Sequence, residues 1–149
     1  MINAKNKIAI LAYTAGLFDG EGCVSIVKCS SSSKQGFHLA LTVRISNTNE
    51  WLINWLKMQF GGATCKMQTR PKNTKDCWQW VKSGAQARDF LVLILPYLFI
   101  KKPNAEVAIH FQNTKLRRPT KKHPISSSEW ILQEADFILN KKYNQRGKV

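Results

Sequence analysis

Acidic side chains are scarce in this chain: 9 Asp and Glu stand against 23 Lys and Arg, leaving a formal charge of +14 over 149 residues at pH 7. So large a surplus exceeds what solubility requires and predicts a polyanionic partner, with nucleic acid ahead of an anionic membrane. Long apolar runs are also missing. The longest, Phe90 to Ile100, is broken by Pro96 and falls short of the roughly 20 residues that span a bilayer, so no membrane partner is expected. Lys5 and Lys7 precede the apolar Ile8 to Ala12, but that run is short and leads into Asp19 and Glu21, which argues against a secretory signal. Cys23, Cys29, Cys65 and Cys77 form no C-x-x-C pair, and His38, His110 and His123 form no metal-spaced cluster. A zinc site and a disulfide framework are thereby disfavoured, and the thiols read as reduced, in an intracellular protein. No internal repeat is visible, and the length fits one domain, 1–149.

What is present is organised around Ile8 to Gly22. Leu11 and Phe18, like Ile10 and Leu17, lie seven apart, so these four fall on one flank of a helix over about 7–21, the side expected to face the core. Ala12, Gly16 and Gly20 recur every fourth residue on another flank, where lack of bulk lets a second backbone approach. Each glycine costs about 1 kcal/mol of helix propensity relative to Ala, a cost that close packing would offset. Glu21 stands where the helix ends, and Asn6 is the candidate N-cap.

Downstream, Cys23 to Cys29 reads as a strand whose facing is left open, because neither alternate set is plainly polar. Ser30 to Gly36 reads as a loop. Phe37 to Ser46 alternates cleanly, with Leu39, Leu41, Val43 and Ile45 on one side and His38, Ala40, Thr42, Arg44 and Ser46 on the other. Asn47 and Thr48 can cap a helix from Asn49 to Phe60, with a stripe of Leu52, Trp55, Leu56 and Phe60 ended by Gly61-Gly62. A second hairpin follows: Cys65 and Met67 are set against Lys66, Gln68 and Arg70, then a Pro71-Lys72-Asn73-Thr74 turn, then Trp78 and Trp80 against Cys77, Gln79 and Val81. Helices are expected over Ala85–Leu95 and about Asn104–Phe111. The basic segment Leu116 to Pro124, with Arg117, Arg118, Lys121 and Lys122, suits phosphates. Ser126 and Glu129 form a capping box before a basic C-terminal helix and tail over about 126–149, whose apolar members are Trp130, Ile131, Ala135, Ile138 and Leu139.

Thr14-Ala15-Gly16-Leu17-Phe18-Asp19-Gly20-Glu21-Gly22 resembles the LAGLIDADG motif of homing endonucleases, matching at Ala15, Gly16, Leu17, Asp19 and Gly22. Glu21 replaces the commoner Asp and keeps the carboxylate, and Gly20 replaces Ala. The resemblance implies an α+β fold of αββαββα order, an antiparallel saddle-shaped sheet backed by helices. One motif per chain implies a homodimer, with Ala12, Gly16 and Gly20 at the interface.

The activity implied is a site-specific double-strand cut in a long, roughly pseudo-palindromic DNA target by metal-dependent phosphodiester hydrolysis. Glu21 is the expected catalytic acid, and its carboxylate with the Gly20 carbonyl offers hard oxygen donors suited to Mg²⁺. Mn²⁺ is the expected substitute, and Ca²⁺ is expected to support binding without cleavage. Lys101 matches an active-site lysine position and Asn47 a polar one, while Asp19 is expected to hold the end of the motif helix. Residues expected to face double-stranded DNA are His38, Thr42, Arg44, Ser46, Lys66, Gln68, Arg70, Lys72, Lys75 and Gln79, since Arg and Lys pair with guanine, Gln pairs with adenine, and a β-ribbon fits the major groove. The resemblance also admits intron RNA as a partner, as for an RNA maturase, or a non-cleaving DNA-binding protein. It is compatible with an intron-encoded gene, with an intein or free-standing gene left open, in an organelle or a bacterial, archaeal or phage host.

Overall fold

The computed structural model describes residues 3–68, 75–115 and 117–145. Helix α1 spans Ala4–Glu21. It begins earlier than the sequence suggests because Asn3, not Asn6, caps it: the Asn3 side chain accepts from the Lys5 N–H at 3.4 Å. It ends where Gly22 turns extended at φ −78° and ψ 156°. A Cβ on Gly22 would sit 2.3 Å from the Phe18 ring and 2.6 Å from the Phe18 carbonyl oxygen, so only glycine fits this exit.

Strands β1 (Gly22–Ser30), β2 (Phe37–Asn47), β3 (Ala63–Lys66) and β4 (Trp78–Ser83) form one antiparallel sheet in the order β1-β2-β4-β3. Helix α2 (Glu50–Phe60) joins the two hairpins. Helix α3 (Gly84–Ile94), a 3₁₀ turn (Leu95–Tyr97), α4 (Lys102–Thr114) and α5 (Ser127–Asn144) complete the chain. The helices cover one sheet face and leave the other open.

The covered face follows the alternation in β2: Leu39, Leu41, Val43 and Ile45 are all buried. Val24 and Ile26 are buried too, which settles the facing of β1 and sends Cys23, Ser25, Val27 and Cys29 to the open face. From the helix side come Phe18, Ile53, Leu56, Phe90, Leu91, Ile94 and Phe111, each fully buried Leu, Ile or Phe contributing about 1.5–3 kcal/mol. Phe90 is the hub, meeting Trp80, Phe60 and Phe18 edge-on at centroid distances of 4.9, 5.2 and 5.7 Å. The Trp80 indole N–H is satisfied by the Gly61 carbonyl at 2.7 Å, as a buried indole requires.

Several local expectations are corrected. On α1 the buried residues are Thr14, Ala15 and Phe18, with Leu11 and Leu17 packed beside them and Ile10 only half-buried. Thr14 can be inward because its hydroxyl donates back to the Ile10 carbonyl at 2.7 Å. Asn49, rather than Asn47 or Thr48, caps α2, accepting from the Leu52 N–H at 3.3 Å, and Ile53 takes the buried place expected of Leu52.

In β3 the facing is the reverse of that expected. Cys65 opposes Gln79 on the open face, whereas Lys66 opposes Trp78 on the helix side. This strand is short, lies at the sheet edge and buries no residue, so burial does not constrain its alternation. Lys66 instead lies 5.7 Å from the Trp78 ring centroid and 3.1 Å from the Asp76 carboxylate. Arg70, Lys72 and the expected turn lie outside the described residues.

The largest correction concerns α5. Its capping box is present, but the residues it buries are Gln133, Asp136 and Asn140, while Ile131 and Ile138 are 64% and 58% exposed. The reason is the sheet edge. β1 is an outer strand, and the Asn140 amide satisfies its outward backbone groups, accepting from the Ile26 N–H at 3.0 Å and donating to the Val24 carbonyl at 3.1 Å. Asn144 adds a second bond to Val24 at 2.9 Å, and Asp136 meets His110 of α4 at 2.7 Å. Among the described residues no helix is long and apolar enough to cross a membrane.

Candidate active site and nucleic-acid interface

Glu21 is the last residue of α1 and is exposed. Its position is fixed from β2: the Asn47 amide donates to Glu21 Oε2 at 2.7 Å, and the Asn47 oxygen is itself held by the Asn49 N–H at 2.8 Å. The turn below is fixed more firmly. The Asp19 carboxylate accepts three successive backbone N–H groups, from Phe99 at 2.8 Å, Ile100 at 3.1 Å and Lys101 at 2.8 Å. Lys101, 7% exposed, returns its ammonium to the Asp19 carbonyl at 2.5 Å. The electronegative end of α1 thus faces the electropositive start of α4 and a buried cation. Asp19 has the holding role expected of it.

Glu21, Gly20 and Lys101 line one cleft of about 560 Å³, together with Ser25, Asn104 and Tyr143. The sequence reading missed this second wall. Asn104 donates to the Asn144 amide oxygen at 3.0 Å, and Asn144 holds β1, so α4, α5 and β1 are pinned behind the acid. Asn140 and Asn144 at i, i+4 were the signal that could have marked a polar inward face of α5.

Among the described residues no group of three or more His, Cys, Asp or Glu could hold a metal ion. The donors at the end of α1 are the Glu21 carboxylate and the carbonyl of Gly20, since Phe18 and Asp19 already accept from the Gly22 N–H and the Lys101 ammonium. One carboxylate and one carbonyl suit Mg²⁺, which keeps several waters and is completed by phosphate oxygens rather than by an all-protein cage.

The open sheet face begins at this site, because Gly22 pairs with Ile45 and the neighbouring Arg44 and Ser46 point the other way. Thr42, Arg44, Ser46 and Gln79 share that face, and the Gln79 amide donates to the Ser46 hydroxyl at 3.1 Å. Val27, Ala40 and Val81 interleave with them. All four cysteines are free, and Cys23, Cys29 and Cys65 belong to this face. His38 shares it by alternation but is only 7% exposed. Burial, then the charges of Lys115 and Arg118, hold its imidazole below the ordinary histidine range. Gln68 and Lys75 are exposed but lie off the strands, and Lys66 faces away.

Ala12, Gly16 and Gly20 are all exposed, and a Cβ added to Gly16 or Gly20 would meet nothing within 4 Å. The chain itself gives no reason for glycine at either position. Large apolar side chains are also bare, among them Tyr13 on α1 itself, Trp51 on α2 and Phe99 just before α4, the last 89% exposed.

No family model matches the sequence, and no curated protein matches it either. Solved structures do match. The homing endonuclease I-CvuI, crystallised with its target in 2 mM Ca, aligns over 98% of this chain and 87% of its own, at 17% identity and a TM-score of 0.70. The archaeal intron-encoded homing endonuclease I-Vdi141I, complexed with DNA, aligns over 95% and 87%, at 14% identity and a TM-score of 0.74. The LAGLIDADG homing endonuclease I-SmaMI, bound to cleaved DNA, aligns over 84% of this chain but only 48% of its own, at 14% identity and a TM-score of 0.58. The fold is that of the LAGLIDADG homing endonucleases, with its antiparallel sheet and helical backing.

Proposed function

We propose, with the LAGLIDADG homing-endonuclease fold as premise, that this chain is a site-specific DNA endonuclease acting as a homodimer through Glu21. The observation that carries the reading is the placement of Glu21: exposed at the end of a helix whose small flank is bare, held by Asn47, and sharing a cleft with Lys101. Packing two copies by Ala12, Gly16 and Gly20 would explain the glycines and bring two carboxylates together, as cutting two strands requires. The 48% coverage of I-SmaMI agrees, since the longer chain has room for a second such unit.

The open face supplies the recognition surface. Arg44 and Gln79 are suited to bidentate pairing with guanine and adenine, and Thr42 and Ser46 to either base. At the acid, Asn47 orients the Glu21 carboxylate, and the Lys101 ammonium places positive charge beside the position where phosphate charge would build. Mg²⁺, held by Glu21 and the Gly20 carbonyl, would supply Lewis-acid polarisation of the phosphodiester and activation of water. The net charge of +14 supports the polyanionic substrate.

The test is cleavage-site selection on a randomised duplex library with Mg²⁺, beside a Ca²⁺ arm. Pseudo-palindromic sites cut with Mg²⁺ and only bound with Ca²⁺ are the expected result. Glu21→Gln, nearly isosteric and still able to bond Asn47, should lower cleavage at least about 100-fold with specific binding retained. Binding without cutting under both metals would instead leave an RNA maturase or a non-cleaving DNA-binding protein.

A further inference from the structure

At the end of the sheet away from Glu21, the segment following α4 returns to the β1–β2 loop. The Lys115 ammonium donates to the Leu39 carbonyl on β2. Arg117 is folded onto its own loop, donating to the carbonyls of His123 at 2.6 Å and Pro124 at 2.9 Å and to Glu129 at 3.3 Å. These anchors fix the segment at two points and leave Arg118, the next residue, exposed. Adjacent arginines therefore divide into a brace and a free-standing cation.

Arg118, Pro119 and Thr120 face Ser30, Ser31 and Ser32 across a cleft of about 500 Å³ with no acid in its lining. The hydroxyls there are biased towards donation. Ser31 Oγ already accepts from the Ser33 N–H at 3.2 Å, and Thr120 Oγ1 already accepts from the His123 N–H at 3.1 Å. Each keeps its O–H proton to give. Hydroxyl donors around one guanidinium make an anion cup, and a phosphate is the anion that a protein of this charge meets along a polymer. Nearby Lys115 and Arg118 crowd positive charge at this end, and both act on His38, so an incoming anion would relieve mutual repulsion.

We infer that Arg118, with the hydroxyls of Ser31 and Thr120, holds one backbone phosphate of duplex DNA at the outer end of each half-site. The inference rests on the DNA-binding reading above and adds to it a place on the duplex. β1 runs for nine residues from Gly22, beside the acid, to Ser30 at the cup. At about 3.3 Å per residue it covers roughly 26 Å, which at about 3.4 Å per base pair puts the held phosphate roughly eight base pairs outside the cut.

Salt titration of binding to a selected duplex tests it, with Arg118→Ala compared with Lys57→Ala, which removes an exposed cation from α2 behind the sheet. Arg118→Ala removes one contact from each half-site and should reduce the steepness of log K against log salt by about two, and Lys57→Ala should leave it unchanged. Phosphate ethylation at the predicted position should interfere with binding of the wild type and not of Arg118→Ala. Equal slopes for the two variants, with the wild type binding normally, would overturn the cup and leave the DNA reading standing. A wild type that binds no duplex would overturn both. A slope change seen on structured intron RNA and absent on duplex would also overturn the assignment.

Discussion

Helices α1 and α5 have the same length, 18 residues, and each shows apolar residues at helical spacing, yet they use them in opposite ways. On α1 the inward side is mainly apolar, with Phe18 in the core, and the bare side carries the small Ala12, Gly16 and Gly20 beside Tyr13. On α5 the inward side is polar, Gln133, Asp136 and Asn140, and the aliphatic residues point out. The difference lies in what each helix meets. α1 meets the aromatic cluster around Phe90, whereas α5 meets the unpaired edge of β1, whose backbone donors and acceptors need polar partners. Apolar periodicity identifies a helix; the neighbour decides which side turns in.

Four substitutions and one titration would break or sharpen this contrast. Gly22→Ala, where α1 exits into the core, should destabilise by about 3 kcal/mol, read as a lowered urea midpoint, because the new methyl has only the Phe18 ring and carbonyl to occupy. Asn140→Leu gives α5 the apolar inward face that its sequence pattern suggests, and should cost about 1–3 kcal/mol by orphaning the Ile26 N–H. A neutral or stabilising result would show that the edge bonds do not hold the helix. Gly16→Ala should act with two signs, raising the stability of the monomer by up to about 1 kcal/mol while weakening self-association in sedimentation. Ile138→Ser, on the outward side of α5, should stay within about 0.5 kcal/mol.

The smallest effect is in acid. Glu129 has its carboxyl pulled below the ordinary range by the Ser126 backbone N–H first, then the Ser126 hydroxyl, with Arg117 assisting. A depressed carboxyl stabilises the fold above its unfolded pKa, about 4.3, and that stability is lost as pH falls through the lower folded value. Ser126→Ala should flatten the part of the acid unfolding curve that lies below about pH 4.3.

Most of the architecture was legible, because β2 alternates without exception and Gly22, Gly61 and the Ser126–Glu129 box punctuate the chain. At the candidate site, Glu21 followed from the motif, while Asn47 and Lys101 came only from the family resemblance; the structure brings Asn47 to Glu21 and Lys101 to Asp19. What stayed hidden depended on partners distant in sequence. The facing of β1 waits on Val24 and Ile26 finding the core, β3 is too short and exposed for its alternation to mean burial, and His38 is buried within reach of the charges of Lys115 and Arg118, about eighty residues downstream. The amides of Asn104, Asn140 and Asn144 read as ordinary polar surface until the edge of β1 gives them something to bind.

Asp19 and the amides of Phe99 and Lys101 are separated by 80 and 82 positions. Closing so long a loop carries an entropic cost that local pairing does not, and contacts of this range slow folding. The cleft around Glu21 therefore exists only once α1 and the start of α4 have met. A chain still being synthesised, or one that has opened along that seam, carries the acid without its setting, so the cleft arrives with the finished fold.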